Sequence, residues 1–114
     1  DDINNNREKE MDSIIIGAKK YIKDNYNKDL SLEEVAHNMA VSPYYFSKLF
    51  KKKTGENFID YVTKLRIKKA QGLLRETGKS IKMIAHGVGY NDPNYFSRVF
   101  KKITGMSPRE FKSS

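Results

Sequence analysis

Hydrophobic residues recur at helical spacing along most of the chain. In the first such stretch Ile14, Ala18 and Tyr21 share one face while the neighbouring lysines lie on others, which predicts an amphipathic helix. A longer period over residues 58–76 predicts a second helix of this kind. No segment shows the strict alternation of apolar and polar residues that is typical of a half-buried strand. The pattern therefore predicts an all-α fold with about seven helices.

Two stretches of the chain have nearly the same sequence. Residues 31–61 read SLEEVAHNMAVSPYYFSKLFKKKTGENFIDY, and residues 80–111 read SIKMIAHGVGYNDPNYFSRVFKKITGMSPREF. In each copy a short helix and a turn precede a helix that opens at a proline and ends before a glycine, over residues 43–54 and 93–104. Matching residues lie 49 positions apart before the turn and 50 apart after it, so the second turn holds one more residue. Two helices joined by a short turn, the second of them basic, predict a helix-turn-helix in each copy.

The repeat and the segments around it predict four parts. Residues 1–12 are polar without an apolar period and are predicted to form a linker. The first helix-turn-helix subdomain is assigned to residues 13–57, the connecting helix to 58–77 and the second helix-turn-helix subdomain to 78–114. Because the chain does not begin with Met and starts with this polar stretch, we expect it to be part of a longer protein.

The composition narrows the class of partner. Lys and Arg number 22 against 14 Asp and Glu, and the resulting net charge of +8 favours a polyanion, nucleic acid ahead of an anionic membrane. With no cysteine and two histidines, neither a metal site nor a cofactor is expected. No apolar run approaches the length of a membrane span, and a cytoplasmic location is expected.

The motifs of enzymes are missing from the sequence. It contains no pairing of a nucleophile with a base, no paired carboxylates in a known motif and no glycine-rich phosphate loop. The chain is therefore predicted not to be an enzyme.

The outward faces of the two basic helices are the candidate DNA-reading surfaces. Spacings of three and four residues bring together the predicted base contacts, which are Tyr44, Ser47 and Lys48 in the first helix and Asn94, Ser97 and Arg98 in the second. An arginine makes a two-pronged contact to guanine and an asparagine one to adenine, so the second helix should be the more specific reader. Three alternatives weigh about as much as base contact. Tyr44 packs on the rim of the core, Lys48 holds a phosphate, or Ser47 and Ser97 are only small enough to let the helix approach DNA.

Neither helix contains an acid. No acid lies between Glu34 and Glu56 or between Asp92 and Glu110, as expected where phosphates approach. The predicted phosphate contacts are Tyr45, Lys51 and Lys52 in the first helix and Tyr95, Lys101 and Lys102 in the second. The alternatives are a solvated lysine face, nonspecific nucleic-acid binding and a helical protein-interaction module.

The length of the connecting helix suits a duplex. At 1.5 Å per residue, residues 58–76 span about 28 Å, near the roughly 34 Å repeat that separates successive major-groove faces of B-DNA. The two basic helices are therefore predicted to enter adjacent major grooves.

The second copy carries a family signature. The run IAHGVGYNDPNYFSRVFKKITGMSPREFK, residues 84–112, resembles the signature of the AraC/XylS family of bacterial transcription regulators, and RIKKAQGLL at 66–74 fits the helix between the family's two helix-turn-helix units. The stretch KDNYNKDLSLEEVA is similar to output domains of two-component response regulators. The resemblance implies a domain that binds double-stranded promoter DNA, an activator role with contact to RNA polymerase, and a sensory, receiver or dimerisation domain outside this chain. It also carries the family's base-contact positions over to the six residues given above.

Overall fold

The computed structural model describes residues 2–114, and these residues form seven helices. The helices are α1 (Asp2–Asn25), α2 (Leu32–Asn38), α3 (Pro43–Thr54), α4 (Phe58–Glu76), α5 (Ile81–Gly87), α6 (Pro93–Thr104) and α7 (Pro108–Ser113). The described part of the chain has no strand, and the predicted all-α class is confirmed. Helices α3 and α6 have the predicted bounds because each carries a start signal and a stop signal in its own sequence, a proline and a following glycine.

The stretch predicted as a polar linker, residues 1–12, is helical from Asp2 onward, and Asp1 lies outside the described residues. Lys53, in the last turn of α3, makes ion pairs with Glu8 and, at 3.0 Å, with Asp12. Extending a helix adds a hydrogen bond per residue without a new nucleus, so a polar stretch next to an established helix is readily included in it. The spacing of apolar residues could not predict this part of α1, because Glu8 and Asp12 are paired with a residue of another helix, Lys53 of α3.

The chain forms two compact units that are not contiguous in sequence. The first comprises the chain up to Asn25 together with Leu30–Val62, and the second comprises Tyr26–Asp29 together with Thr63–Ser114. The predicted division treated the connecting helix as a separate part, whereas the residues of α4 are shared between the two units. A short segment between α1 and α2 thus belongs with the second helix-turn-helix.

The core of the first unit is built around aromatic rings. Phe46 and Phe50 of α3 are fully buried, and their ring centroids lie 6.1 and 6.0 Å from that of Phe58, which opens α4. Tyr61 covers this cluster with its ring edge-on to Phe50 at 5.1 Å. Because the inward face of α3 is fixed by these rings, its other face is turned to solvent.

The core of the second unit repeats this arrangement. Phe96 and Phe100 of α6 are fully buried, and Phe111 of α7 packs edge-on against Phe100 at a centroid distance of 5.4 Å. Tyr90, for which the sequence suggested no role, is also buried, and its ring lies 5.5 Å from that of Phe96. Each unit therefore presents its basic helix from an aromatic core of its own.

The two turns close with the same hydrogen bonds. In the first, Val41 N donates to Ala36 O at 3.1 Å and Ala40 N donates to His37 O at 3.0 Å. The second repeats both bonds, from Tyr90 and Gly89, at 2.9 and 3.1 Å. This is the Schellman pattern, which requires a left-handed residue after the helix, and that residue is Ala40 (φ 60°) in one turn and Gly89 (φ 103°) in the other.

Candidate nucleic-acid interface

The first turn of each basic helix is fixed by a side-chain cap. The Ser42 hydroxyl accepts a hydrogen bond from Tyr45 N at 3.1 Å, and the Asp92 carboxylate accepts one from Asn94 N at 2.9 Å. Each cap satisfies a backbone donor that has no partner within its own helix. The caps thereby hold the segments from which base-reading side chains are predicted to project.

The predicted reading face of α3 is open to solvent. Tyr44 is 72% exposed, and both Ser47 and Lys48 are exposed. The Lys48 ammonium lies 5.0 Å from the centroid of the Tyr44 ring, a cation–π arrangement that orients both side chains. The structure therefore brings the three residues together on one accessible face.

On α6 the predicted reading face has the same position but a different chemistry. Asn94 and Arg98 are exposed, while Ser97 is half-buried. The Arg98 guanidinium lies 5.9 Å from the centroid of the exposed Tyr95 ring. An asparagine, a serine and an arginine on this face offer donors and acceptors to a base edge, whereas α3 offers mainly an aromatic ring and an ammonium.

The predicted phosphate contacts are also accessible. Tyr45 and Tyr95 are 43% and 52% exposed, and Lys51, Lys52, Lys101 and Lys102 are exposed in the last turns of α3 and α6. Cations at these positions also suit the negative end of the helix dipole. Neither helix has an acid within its first turn, although the cap that precedes α6 is the carboxylate of Asp92.

Lys53 differs from its neighbours on α3. Its ammonium is paired with Glu8 and Asp12, and its side chain is only 21% exposed. The hydrogen bonds that its ammonium donates to Glu8 and Asp12 raise the pKa of Lys53 above its ordinary value. Within the described residues Lys51 and Lys52 make no ion pair, so the basic run of α3 is divided between solvent and α1.

The arginines of α4 are occupied inside the second unit. The Arg75 guanidinium lies 4.6 Å from the centroid of the Phe111 ring. Arg66 Nε donates to the backbone carbonyl of Tyr26 at 2.8 Å. Among the cations of α4, Arg66 is half-buried, whereas Lys64, Lys68, Lys69 and Arg75 are exposed.

Other kinds of site find no support in the part of the chain that the structure describes. No group of His, Cys, Asp and Glu there could hold a metal ion. Among residues 2–114 no helix is both long and apolar enough to cross a membrane.

Two helix-turn-helix units, each with an exposed and acid-free basic helix, define a DNA-binding domain. A family model described as a helix-turn-helix domain matches residues 27–114. The chain belongs to the AraC-type helix-turn-helix family, whose members are transcription regulators and not enzymes.

Relatives and solved structures agree with this assignment. The chain is 44% identical over 89 residues to the transcriptional regulatory protein YesN of Bacillus subtilis, a match that covers 75% of this chain and 24% of YesN. The C-terminal domain of AraT, a response regulator from Geobacillus stearothermophilus, is 42% identical, with a TM-score of 0.86 over 88% of this chain and 84% of that one. The DNA-binding domain of AdpA, solved with a target DNA, has a TM-score of 0.83 over 87% of this chain and 89% of its own, and at 20% identity it shows a shared fold.

The chain spans 24% to 58% of the length of the first curated relatives that it matches. Those proteins therefore contain further segments outside the matched region.

Proposed function

We propose that this chain is the sequence-specific DNA-binding domain of a bacterial transcription regulator, and that it places α3 and α6 in adjacent major grooves of promoter DNA. The observation that carries the proposal is a pair of outward faces that are equivalent in fold but differ in side chains. They comprise the exposed Tyr44, Ser47 and Lys48 on α3, and the exposed Asn94 and Arg98 with the half-buried Ser97 on α6. Two equivalent surfaces with different chemistry suit two different half-sites. The length of α4, 19 residues or about 28 Å, is compatible with the roughly 34 Å repeat of B-DNA.

The wider role follows from the family and from the length of its members. We propose that the intact protein acts in the cytoplasm and carries a sensory, receiver or dimerisation domain. The similarity to AraT, a response regulator, favours a receiver. An activator role, with contact to RNA polymerase, is part of this proposal because the relatives include arabinose operon regulatory proteins.

The deciding experiment is a selection of binding sites from a random pool of duplexes. We expect the domain to select two short half-sites about 10 base pairs apart, centre to centre. Its affinity for the selected duplex should exceed that for a scrambled duplex of equal length, and both affinities should fall steeply with salt. Equal affinity for the two duplexes would favour nonspecific nucleic-acid binding, and no binding to either would favour a protein-interaction module.

Replacing Arg98 by alanine should relax recognition in one half-site. If Arg98 reads a base, Arg98→Ala lowers discrimination at that base pair by about 1–3 kcal/mol and leaves the other half-site unchanged. The measurement is a competition between the selected duplex and duplexes with single base changes. Arg109→Ala is the matched control, because it removes the same charge from an exposed position of α7. An unchanged preference in Arg98→Ala would remove this residue from the reading face.

Adjacent lysines of α3 should differ in their effect on salt dependence. Lys52→Ala is expected to reduce the slope of log affinity against log salt by about one, since one phosphate contact is lost. Lys53→Ala should change this slope much less, because its ammonium is already paired with Glu8 and Asp12. The two variants have the same composition and charge, so binding titrations across a salt series compare the positions alone. A larger effect for Lys53→Ala would mean that the ion pairs open when DNA binds.

A further inference from the structure

Arg66 holds three groups of the second unit at once. Its Nε donates to the carbonyl of Tyr26 at 2.8 Å and its Nη2 to the carbonyl of Lys28 at 2.9 Å. The centre of the guanidinium also lies 5.4 Å from the centroid of the Tyr90 ring. Both hydrogen-bond acceptors belong to Tyr26–Asp29, the short segment between α1 and α2 that packs with the second unit. One side chain thus joins this segment, α4 and the turn of the second helix-turn-helix.

The joint is closely packed. A Cβ atom at Gly89 would lie 2.7 Å from the carbonyl oxygen of Tyr26 and 3.0 Å from Arg66 Nε, both too short for van der Waals contact. The turn backbone, the Tyr26 carbonyl and the guanidinium therefore leave no room for a methyl group at Gly89.

The contacts continue from this joint to the proposed reading face. Tyr90 is 7% exposed, and its ring lies 5.9 Å from that of Tyr95 in the first turn of α6. The Tyr95 ring in turn lies 5.9 Å from the Arg98 guanidinium. Arg66 is therefore separated from a predicted base contact by two aromatic rings, each of them in contact with the next.

The chemistry of these contacts requires an arginine. A guanidinium is planar and carries several donors in a fixed fork, so Arg66 donates to two carbonyls while its centre stays over the Tyr90 ring. A lysine ammonium at the same position has one nitrogen, and no flat face to lie against Tyr90. The groups that accept hydrogen bonds from Arg66 are neutral backbone carbonyls. The arginine is therefore not explained by the need to neutralise a carboxylate.

We propose that Arg66 is a positioning residue for DNA recognition by α6. It does not touch DNA; it fixes Tyr90 against the segment Tyr26–Asp29 and so holds the first turn of α6 in the orientation from which Asn94 and Arg98 meet base edges. This inference rests on the proposed function and adds to it a residue outside the recognition helix. It also gives the segment between α1 and α2 a part in reading the second half-site.

The test is a set of binding measurements on Arg66→Lys and Arg66→Ala. Both variants are expected to lower discrimination in the half-site read by α6 by roughly 2- to 30-fold, and to leave the other half-site unchanged. Affinity for a scrambled duplex and the salt slope should stay as in the parent, since no phosphate contact is removed. Arg66→Lys keeps the charge and most of the stem, so it remains folded if Arg66→Ala does not.

Two controls on α4 separate positioning from other roles. Lys69→Ala removes a charge from an exposed position, and Arg75→Ala removes a guanidinium that lies against a ring without contacting Tyr26–Asp29. Neither should change the preference in the half-site read by α6.

Three outcomes would overturn the inference. Unchanged discrimination in Arg66→Lys excludes positioning. A uniform loss of affinity with a smaller salt slope in Arg66→Ala makes Arg66 a phosphate contact. An equal loss in both half-sites makes its role general stability. If the parent domain itself shows no discrimination, the proposed function fails instead, and that result is visible before any variant is made.

Discussion

Phe100→Ala is expected to lower the free energy of unfolding by about 3–5 kcal/mol. Phe100 is fully buried, and its ring packs between those of Phe96 and Phe111, with centroids at 5.7 and 5.4 Å. Removing the ring loses its burial and leaves a cavity among side chains held by the helices on either side. Urea denaturation followed by circular dichroism measures the loss.

Ile103→Ala is the control, because this side chain lies on the same helix and is 42% exposed. It should change the free energy of unfolding far less than the core variant. Hydrogen exchange gives a second check: in Phe100→Ala, faster exchange is expected in residues 63–114. A loss for Phe100→Ala as small as that for the control would contradict the packing described for the second core.

Gly89→Ala is expected to destabilise the domain by about 2–4 kcal/mol, through the cost of a left-handed alanine and of an overpacked contact. Gly89 has φ of 103°, and the new Cβ would meet the carbonyl oxygen of Tyr26 at 2.7 Å. A backbone oxygen cannot turn aside as a side chain does, so the segment before α2 or the turn itself must move. Thermal denaturation of the variant and the parent measures the difference.

The first turn supplies the matched control. Ala40 occupies the equivalent left-handed position with φ of 60°, and here the residue already has a Cβ. Ala40→Gly removes local strain but increases the freedom of the unfolded chain, so a net stabilisation of at most about 1 kcal/mol is expected. If Gly89→Ala changes the stability of the domain as little as Ala40→Gly does, the close approach between Gly89 and Tyr26 is not a constraint on the fold.

The helices of this fold could be predicted because their signals are local. Prolines after Ser42, Asp92 and Ser107 start three helices, and the apolar period of α4 is continuous over Phe58–Glu76. The apolar periods of α3 and α6 place Phe46 and Phe100 on the inward faces of these helices, and both side chains are buried in the structure. A helix that carries its own start, stop and apolar face requires no knowledge of its neighbours.

What could not be predicted depends on contacts between residues far apart in sequence. The pair of Lys53 with Glu8 joins residues separated by 45 positions, and the bond from Arg66 to Tyr26 joins residues separated by 40. The sequence around an acidic or a basic residue does not identify a partner that is so far away in the chain. For the same reason the sequence predicts no partner for Lys53 or for Arg66.

The candidate site was predicted to the level of its faces. Helical periodicity placed Tyr44, Lys48, Asn94 and Arg98 outward, and the structure exposes all four, while Ser97 is half-buried. Their division into base and phosphate contacts stays a prediction, because it depends on the position of a DNA duplex. Exposure follows from the period of a helix, whereas a base contact follows from the docking of two molecules.

The membership of Tyr26–Asp29 in the second unit limits how such domains can be recombined. A chimera that takes residues 63–114 from this chain and everything before them from a relative would join α6 to a foreign segment between α1 and α2. The carbonyls bound by Arg66, and the close approach to Gly89, would then come from a different parent. An exchange of DNA specificity therefore has to transplant two stretches of sequence together, or be confined to the outward residues of α6.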